Sequence, residues 1–409
     1  MEIIQQHKDY IKEKFKLIKS GSDLVQILIF VSKEVLKSKQ DLNLDLFKKC
    51  LDTEAKDRYQ TFKIKKKSGG FRTINAPNIH LKHILSCVNI VIQCVDEPHR
   101  AATGFVRGKS VIENAKMHIG KNYVLNIDLK DFFHSFDKEK VKECFMRKPF
   151  NFNGEKEILA IFLAELCTHP FEIDCVKKAV LPQGAPSSPT ITNVICKSMD
   201  WDLTELANRY GATYTRYADD MTFSSNHDLY SDAFYEELFQ IINSHELTVN
   251  SKKTRLQKKG YKQEVTGLVV NEKVNVPRRY VKQLRMWIYL WEKYGYEKAE
   301  SLFAKDYRKD KGHVKKDKNT MLSVIKGKLN YLKMVKGETD PTYKKLYLRY
   351  FHLTNYLFID EILGVWETEG LNAAISVYEK HKRKEMNYPE PIDVNKLLEL
   401  FAKAGIKFE

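Results

Sequence analysis

The sequence predicts an α+β fold, and three observations carry that expectation. Short β-prone runs come in pairs around tight turns at 59–77, 213–224 and 264–276, the mark of antiparallel hairpins. YVLNIDL, at 123–129, has the unbroken apolar character of a strand buried on both faces. Amphipathic helical patterns fill the intervals, and from Pro277 to about 380 the chain reads as helices rich in Lys, Arg, Trp and Tyr.

A chain of 409 residues can bury a large core and divide into two or three subdomains. Hydrophobic content of 43% is that of a soluble globular protein. The start, MEIIQQHKDYIKEK, mixes charge with isolated apolar residues, unlike a signal peptide. The longest apolar run, Leu24 to Val31, is broken by Gln26 and is too short to cross a bilayer. The seven cysteines form no CxxC pair, which fits reduced, buried thiols in a cytoplasmic protein and gives no zinc signature. A net charge of +16 exceeds what solubility requires and points to a polyanionic partner, nucleic acid ahead of an anionic membrane. The 21 Tyr and 22 Phe interleaved with lysines favour nucleic acid, because bases stack on rings.

Taken in order, residues 1 to about 55 read as helices, with Ser22 capping SDLVQILIFVSKEVLK and Asp41 or Asn43 capping a shorter one. In YQTFKIKKKSGGFRTINAP (59–77), the hairpin loop gathers Lys65, Lys66 and Lys67 beside glycines, and Arg72 begins the return strand. Cations gathered on a flexible loop suit a triphosphate. Residues 79–95 form an apolar core helix. In ATGFVRGKSVIENAKMHIG (102–120) a Gly-rich turn leads into a helix from Ser110, placing Asn114 and His118 on one face. YVLNIDL sets Asp128 at its strand end, with Asp131 and Phe133 on the turn into a helix. Residues 138–180 read as helical. In LPQGAPSSP (181–189) an irregular loop offers Gln183 and Gly184 to a nucleotide, and Ser187 or Ser188 caps a helix opened by Pro189.

TYTRYADDMTFS (213–224) then reads as strand, tight turn, strand, with Asp219 and Asp220 at the tip. Adjacent carboxylates repel unless a cation lies between them. An Asp-Asp turn standing alone is ordinarily just solvated. Residues 231–245 form an amphipathic helix, LTVNSKKT (247–254) holds Lys252 and Lys253 at a strand or turn, and EVTGLVVNEKVNV (264–276) reads as two β-runs joined by NEK. KHKRKEMNYPEP (380–391) leads into a last amphipathic helix. Asp128 and the 219–220 pair, on neighbouring strands, match a site for two Mg²⁺ ions about 3.5–4 Å apart, which clamps the attacking and leaving oxygens of phosphoryl transfer. With cations upstream, a Gln-Gly loop and a downstream lysine, these are the parts of a nucleotide polymerase.

Over residues 55 to 350 the chain resembles a retron-type bacterial reverse transcriptase. The resemblance rests on KKKSGGFRTINAP, the segment from GFVRGKS to NIDLKDFF, LPQGAPSSP, YTRYADD, NSKKT and EVTGLVVN, in that order. Asn114-Ala115 with His118 (NAxxH) and Val265-Thr266-Gly267 (VTG) are the retron-specific signatures. The resemblance implies a right-hand polymerase: an N-terminal helical region at 1–55, fingers at 56–120 with a retron-specific insertion, a palm with an antiparallel sheet at 121–275 (interleaved with a fingers segment at 138–180), a helical thumb at 276–380 and a C-terminal extension at 381–409. Asp128, Asp219 and Asp220, with the Leu129 carbonyl, are then the Mg²⁺ ligands. Lys66, Arg72, Asp131, Phe133, Gln183, Gly184 and Lys253 contact the dNTP, with Phe133 as the ring that excludes a 2′-hydroxyl and Lys253 as proton donor to pyrophosphate. Asn114, His118, Val265, Thr266 and Gly267 recognise a cognate structured non-coding RNA.

The implied reaction copies part of that RNA into branched multicopy single-stranded DNA from a 2′-hydroxyl primer, in antiphage defence beside a separate effector protein. Residues beyond about 350 serve as thumb extension or effector-docking surface. The competing expectations are another defence-associated or group II intron-like enzyme making unbranched cDNA, and a catalytically silent RNA-binding scaffold.

Overall fold

A computed structural model describes residues 3–40, 42–52, 55–65, 70–173, 176–228, 231–311 and 320–385. Lys66, Cys175 and the helix expected within 391–409 lie outside the described residues. Two compact units emerge: described residues up to 282 with 307–311 and 334–336, and a second of 283–306, 320–333 and 337–385.

The first unit opens with α1 (Gln5–Lys16), α2 (Gly21–Phe30), which runs on as a π-helical turn to Val35, α3 (Leu44–Asp52) and the short α4 (Ala55–Arg58). The cap of α2 is Ser20, two residues before the predicted Ser22. Ser20 has Asp23 three residues on, and the two close a reciprocal capping box. Asn43 caps the next helix through a 2.9 Å bond from the Leu46 amide. The predicted basic hairpin forms as β1 (Tyr59–Lys65) and β2 (Phe71–Pro77), and α5 (Ile79–Val95) follows it into the core. Next come α6 (Val111–Lys116), capped by Ser110, and β3 (Tyr123–Asp128). The α6 helix ends before His118, so that residue sits past the C-cap rather than on the helix.

After a 3₁₀ turn at Phe132–Ser135 come α7 (Lys138–Met146) and α8 (Glu157–Cys167). Residues 168–180, expected to be helical, instead form a hairpin, β4 (His169–Ile173) with β5 (Val176–Val180). Pro170 removes an amide a helix would need, and Phe171, Ile173, Val176 and Val180 are strand-favouring. Helices α9 (Ser188–Ile195) and α10 (Lys197–Arg209) lead to β6 (Thr213–Tyr217), β7 (Asp220–Ser225), α11 (Asp232–Ser244) and β8 (Arg255–Lys258). Last come β9 (Glu264–Val265) and β10 (Leu268–Val269), which turn at Thr266–Gly267 rather than at the predicted Asn-Glu-Lys. A second reversal does pass through 271–274, closed by an antiparallel bridge from Val269 to Asn275.

The central sheet is antiparallel in the order β6-β7-β3-β8. Leu125, Ile127, Met221 and Phe223 from its strands are fully buried with Leu203 and Leu206 of α10 and Phe234 and Leu238 of α11. Cutting Phe223 back to Ala would cost about 3–5 kcal/mol of the packing beneath the sheet that carries the acids. The six described cysteines are free and buried.

The second unit is helical, built from most of α12 (Arg278–Tyr294, which buries Leu284, Trp287, Ile288 and Trp291), α13 (Tyr296–Lys311) and α14 (Met321–Lys336), with α15 (Pro341–Glu369) and α16 (Leu371–Glu385). Met321, Ile325, Leu329 and Leu332 form the buried stripe of α14, and Trp287 packs edge-on to Phe303 at 4.8 Å. Among the described residues no helix is long and apolar enough to cross a membrane.

Candidate active site

The three acids come together because of strand register. Asp128, the last residue of β3, pairs with Asp220, the first of β7. Tyr217 pairs with Asp220 across β6–β7, leaving Ala218 and Asp219 as a two-residue turn. Ala218 takes the left-handed conformation, φ +60°, that such turns demand. The Leu129 amide donates to the Asp219 carbonyl at 3.1 Å, so the end of β3 is stitched to the turn.

These carboxylates are electrostatically uncomfortable. Burial, followed by the charges of Asp219 and Asp128, pushes Asp220 up to about 6. Water still reaches Asp220, so the desolvation is that of a narrow cleft, not of a core. Burial raises Asp219 also, with Asp128 adding to it, while Lys253 and Arg72 pull the other way. Hard oxygen donors that repel one another in this way suit a divalent cation. Lys253 supplies the local counter-charge: its Nζ lies 2.8 and 2.9 Å from the two Asp128 oxygens. Asn250, which sequence reasoning passed over inside NSKKT, donates its amide nitrogen to Asp128 at 3.0 Å. With both Asp128 oxygens so engaged, no three His, Cys, Asp or Glu side chains among the described residues stand ready-converged on one ion.

A cleft of about 420 Å³ opens beside the acids, lined by Asp128 and Asp220, by Lys252 to Arg255, and by Thr266 and Gly267. Arg72 sits in β2 opposite Ile64, close enough to act on Asp219. Asp131, itself left-handed at φ +43°, opens the 3₁₀ turn that carries Phe133. The Phe133 ring lies 6.5 Å from that of Phe105, which in turn lies 6.2 Å from Tyr217, an aromatic group of which only Phe133 was anticipated. Gly184 lies against β2: a Cβ there would fall 2.6 Å from the Asn75 carbonyl, and the Asn75 amide donates to the Gln183 carbonyl at 2.9 Å. Only glycine fits so close an approach, which ties this loop to the basic hairpin.

The retron signatures lie largely inside the fold. Asn114, His118 and Val265 were expected to meet RNA, yet each is at 0% exposure. Asn114 accepts from Thr103 Oγ1 at 2.8 Å and reaches Thr266 at 3.5 Å. His118 is held between Ser224 at 2.7 Å and Thr215 at 2.8 Å. Asn114 and His118 are thus held by bonds within the fold. Asn114 joins α6 to the Thr266–Gly267 turn and His118 joins the loop after α6 to the central sheet, and of these segments the Thr266–Gly267 turn lines the cleft.

This burial has a measurable consequence. It pushes His118 down to about 3, with Lys121 adding to the effect, against 6.5 for a free histidine. The folded protein therefore excludes a proton that the unfolded chain binds below pH 6.5. The resulting stability is complete above pH 6.5 and declines as pH falls toward 3. By pH 5 the loss should be about 2 kcal/mol. Urea titrations at pH 7.5 and 5 should show that loss in the unaltered protein and a smaller one in His118→Gln; equal pH dependence would refute it.

Residues 64–274 match the family described as reverse transcriptase (RNA-dependent DNA polymerase). The chain is 34% identical over 280 residues to the retron Ec86 reverse transcriptase of Escherichia coli, covering 67% of this chain and 81% of that protein. It is 36% identical over 262 residues to the retron Mx162 reverse transcriptase of Myxococcus xanthus, and 33% over 237 to the retron Mx65 enzyme of the same organism. Those matches cover 58% and 56% of this chain but only 53% and 55% of the two Myxococcus proteins. The chain belongs to the retron-type reverse transcriptases, RNA-directed DNA polymerases.

Proposed function

We propose that this protein copies part of a cognate structured RNA into branched single-stranded DNA, primed from a 2′-hydroxyl, within a retron defence system in the cytoplasm. The observation that carries the catalytic part is Asp128 facing Asp220 across β3–β7 with Asp219 in the adjoining turn. The retron setting is supported by the kinship with the Ec86 enzyme.

Asp128, Asp219, Asp220 and the Leu129 carbonyl would hold two Mg²⁺ ions, which would supply Lewis-acid activation of the attacking hydroxyl and charge neutralisation at the phosphates. Lys66 and Arg72 grip the triphosphate. Gln183, Gly184 and Asp131 line the nucleotide, and Phe133 closes the space a ribose 2′-hydroxyl would need. Lys253, held beside Asp128, donates a proton to the departing pyrophosphate. Thr266 and Gly267 offer backbone to nucleic acid at the far wall of the cleft, with Asn114, His118 and Val265 shaping them from behind. Residues 56–120 act as fingers, 121–275 as palm and 276–380 as thumb, with a separate effector protein as the defence partner.

Sequencing the nucleic acid that copurifies with the protein tests this reading. The expected product is DNA whose 5′ end remains joined to an internal RNA 2′-oxygen. Linear or repetitive unbranched cDNA would assign the chain to another defence-associated or intron-like activity. RNA with no DNA at all would favour a silent scaffold.

A further inference from the structure

Under the turn that carries Asp219 lies an ion pair sealed from water. Arg216 and Asp200 are both at 0% exposure. The guanidinium grips the carboxylate with Nε to Oδ1 at 2.8 Å and Nη2 to Oδ2 at 2.6 Å, and the Tyr214 hydroxyl donates to Oδ1 at 2.8 Å. The third guanidinium nitrogen turns away from Asp200. Nη1 donates to the Ala218 carbonyl at 3.3 Å and to Asn193 Oδ1 at 3.1 Å. Asn193 in turn donates to the Gly104 carbonyl at 2.9 Å. From the chain beside β6, the Thr103 and Gly104 amides donate to the Arg216 carbonyl at 2.8 and 3.4 Å.

Two features make this more than core packing. Buried ion pairs are weak devices for stability, because desolvation offsets most of the attraction and apolar residues of similar volume serve as well. Ala218 also keeps a left-handed backbone without being glycine, a conformation that persists only where its surroundings hold it. An apolar pair would fill the space but would leave the Ala218 carbonyl unheld. We propose that Arg216, clamped by Asp200, is a positioning residue for nucleotide transfer: it fixes the Ala218 carbonyl, and so the direction of the Asp219 carboxylate, while Asn193 locks the Gly104 strip against the same turn. The proposal rests on the reading of Asp219 as catalytic.

Two variants test it, with an RNA template and a DNA primer so that no cognate RNA is needed. Arg216→Lys keeps the charge but loses the planar fork, so one ammonium cannot serve Asp200, Asn193 and Ala218 together. Arg216→Met with Asp200→Leu and Tyr214→Phe removes the charges and the hydroxyl that depended on them. In both, RNA affinity should stay near that of the unaltered protein; Tm should hold best in the triple variant and fall in Arg216→Lys, where buried polar groups lose partners. The turnover number, corrected for active sites by a single-turnover burst, should fall about 100-fold with the KM for dNTP little changed. A purely structural role would lower Tm or the active fraction while leaving turnover per active site intact, and that result overturns the proposal. Should the triple variant not fold, Arg216→Lys decides alone. Asp219→Ala runs alongside: if it stays active, the catalytic reading fails; if it is silent while folded Arg216 variants turn over normally, only the clamp fails.

Discussion

Replacing Asp219 and Asp220 together by Ala should abolish dNTP incorporation while RNA binding and folding survive. Removing one preorganised electrostatic group from an active site commonly costs about 10²–10³ in rate, so losing both carboxylates proposed to hold metal should cost at least about 10³. The structure adds a less obvious expectation for stability. Burial, with repulsion from Asp128 and, for Asp220, from Asp219 as well, raises Asp219 and Asp220 above ordinary aspartates, so near neutral pH their ionised forms strain the folded state. Deleting both relieves that repulsion, and Tm should hold or rise, as when an active site is traded for stability. Primer extension in Mg²⁺ and a thermal melt read the two effects separately. Activity within tenfold of the unaltered protein would remove these residues from the chemistry. A sharp fall in Tm would mean that Lys253 and Arg72 already outweigh the repulsion.

How much of this was legible beforehand depended on whether the cause was local. The acid-bearing hairpin, the basic hairpin and the core strand ending in Asp128 were readable because alternation and turn chemistry act within about a dozen residues. The β4–β5 hairpin was missed where an amphipathic helical pattern ran up to His169. Pro170 was the signal that the helix had to stop. The Thr266–Gly267 turn was missed for a similar reason. Asn-Glu-Lys looked like the stronger turn, yet the glycine at φ +82° supplies the tighter reversal.

What sequence could not show was which polar residues face inward. The NAxxH and VTG signatures were assigned to RNA by resemblance to retron enzymes. Their partners, Thr103, Thr215 and Ser224, lie far off in sequence, so nothing in the motif itself revealed that Asn114 and His118 were already satisfied. Arg216 was hidden for the opposite reason. It sits inside the most conspicuous box of the chain, where attention falls on the aspartates, and its partner Asp200 belongs to a helix sixteen residues earlier. One local clue existed. A charge within a β-run whose neighbours Tyr214 and Thr215 are themselves buried has no face of the strand on which to meet water.

Gly104→Ala should leave a folded protein that binds RNA and turns over about 100-fold more slowly. A Cβ at Gly104 would fall 2.6 Å from the Ala218 nitrogen, 2.9 Å from the Tyr217 carbonyl carbon and 3.0 Å from the Tyr217 Cα. All three are backbone atoms, so no side-chain rotation relieves the clash. Either the 102–105 strip lifts from β6, giving up its bonds to Arg216, or the turn carrying Asp219 shifts. Overpacking of this kind costs about 1–3 kcal/mol, a loss a large domain survives. A displacement of about 1 Å at reacting groups can itself cost about 10² in rate. Gly211→Ala, before the start of β6, is the control. Gly211 has φ +64° and open space around it, so alanine there brings strain without a clash. The two variants should lose comparable stability, yet only Gly104→Ala should lose turnover. Equal turnover in both would mean that the strip beside β6 does not hold the catalytic turn.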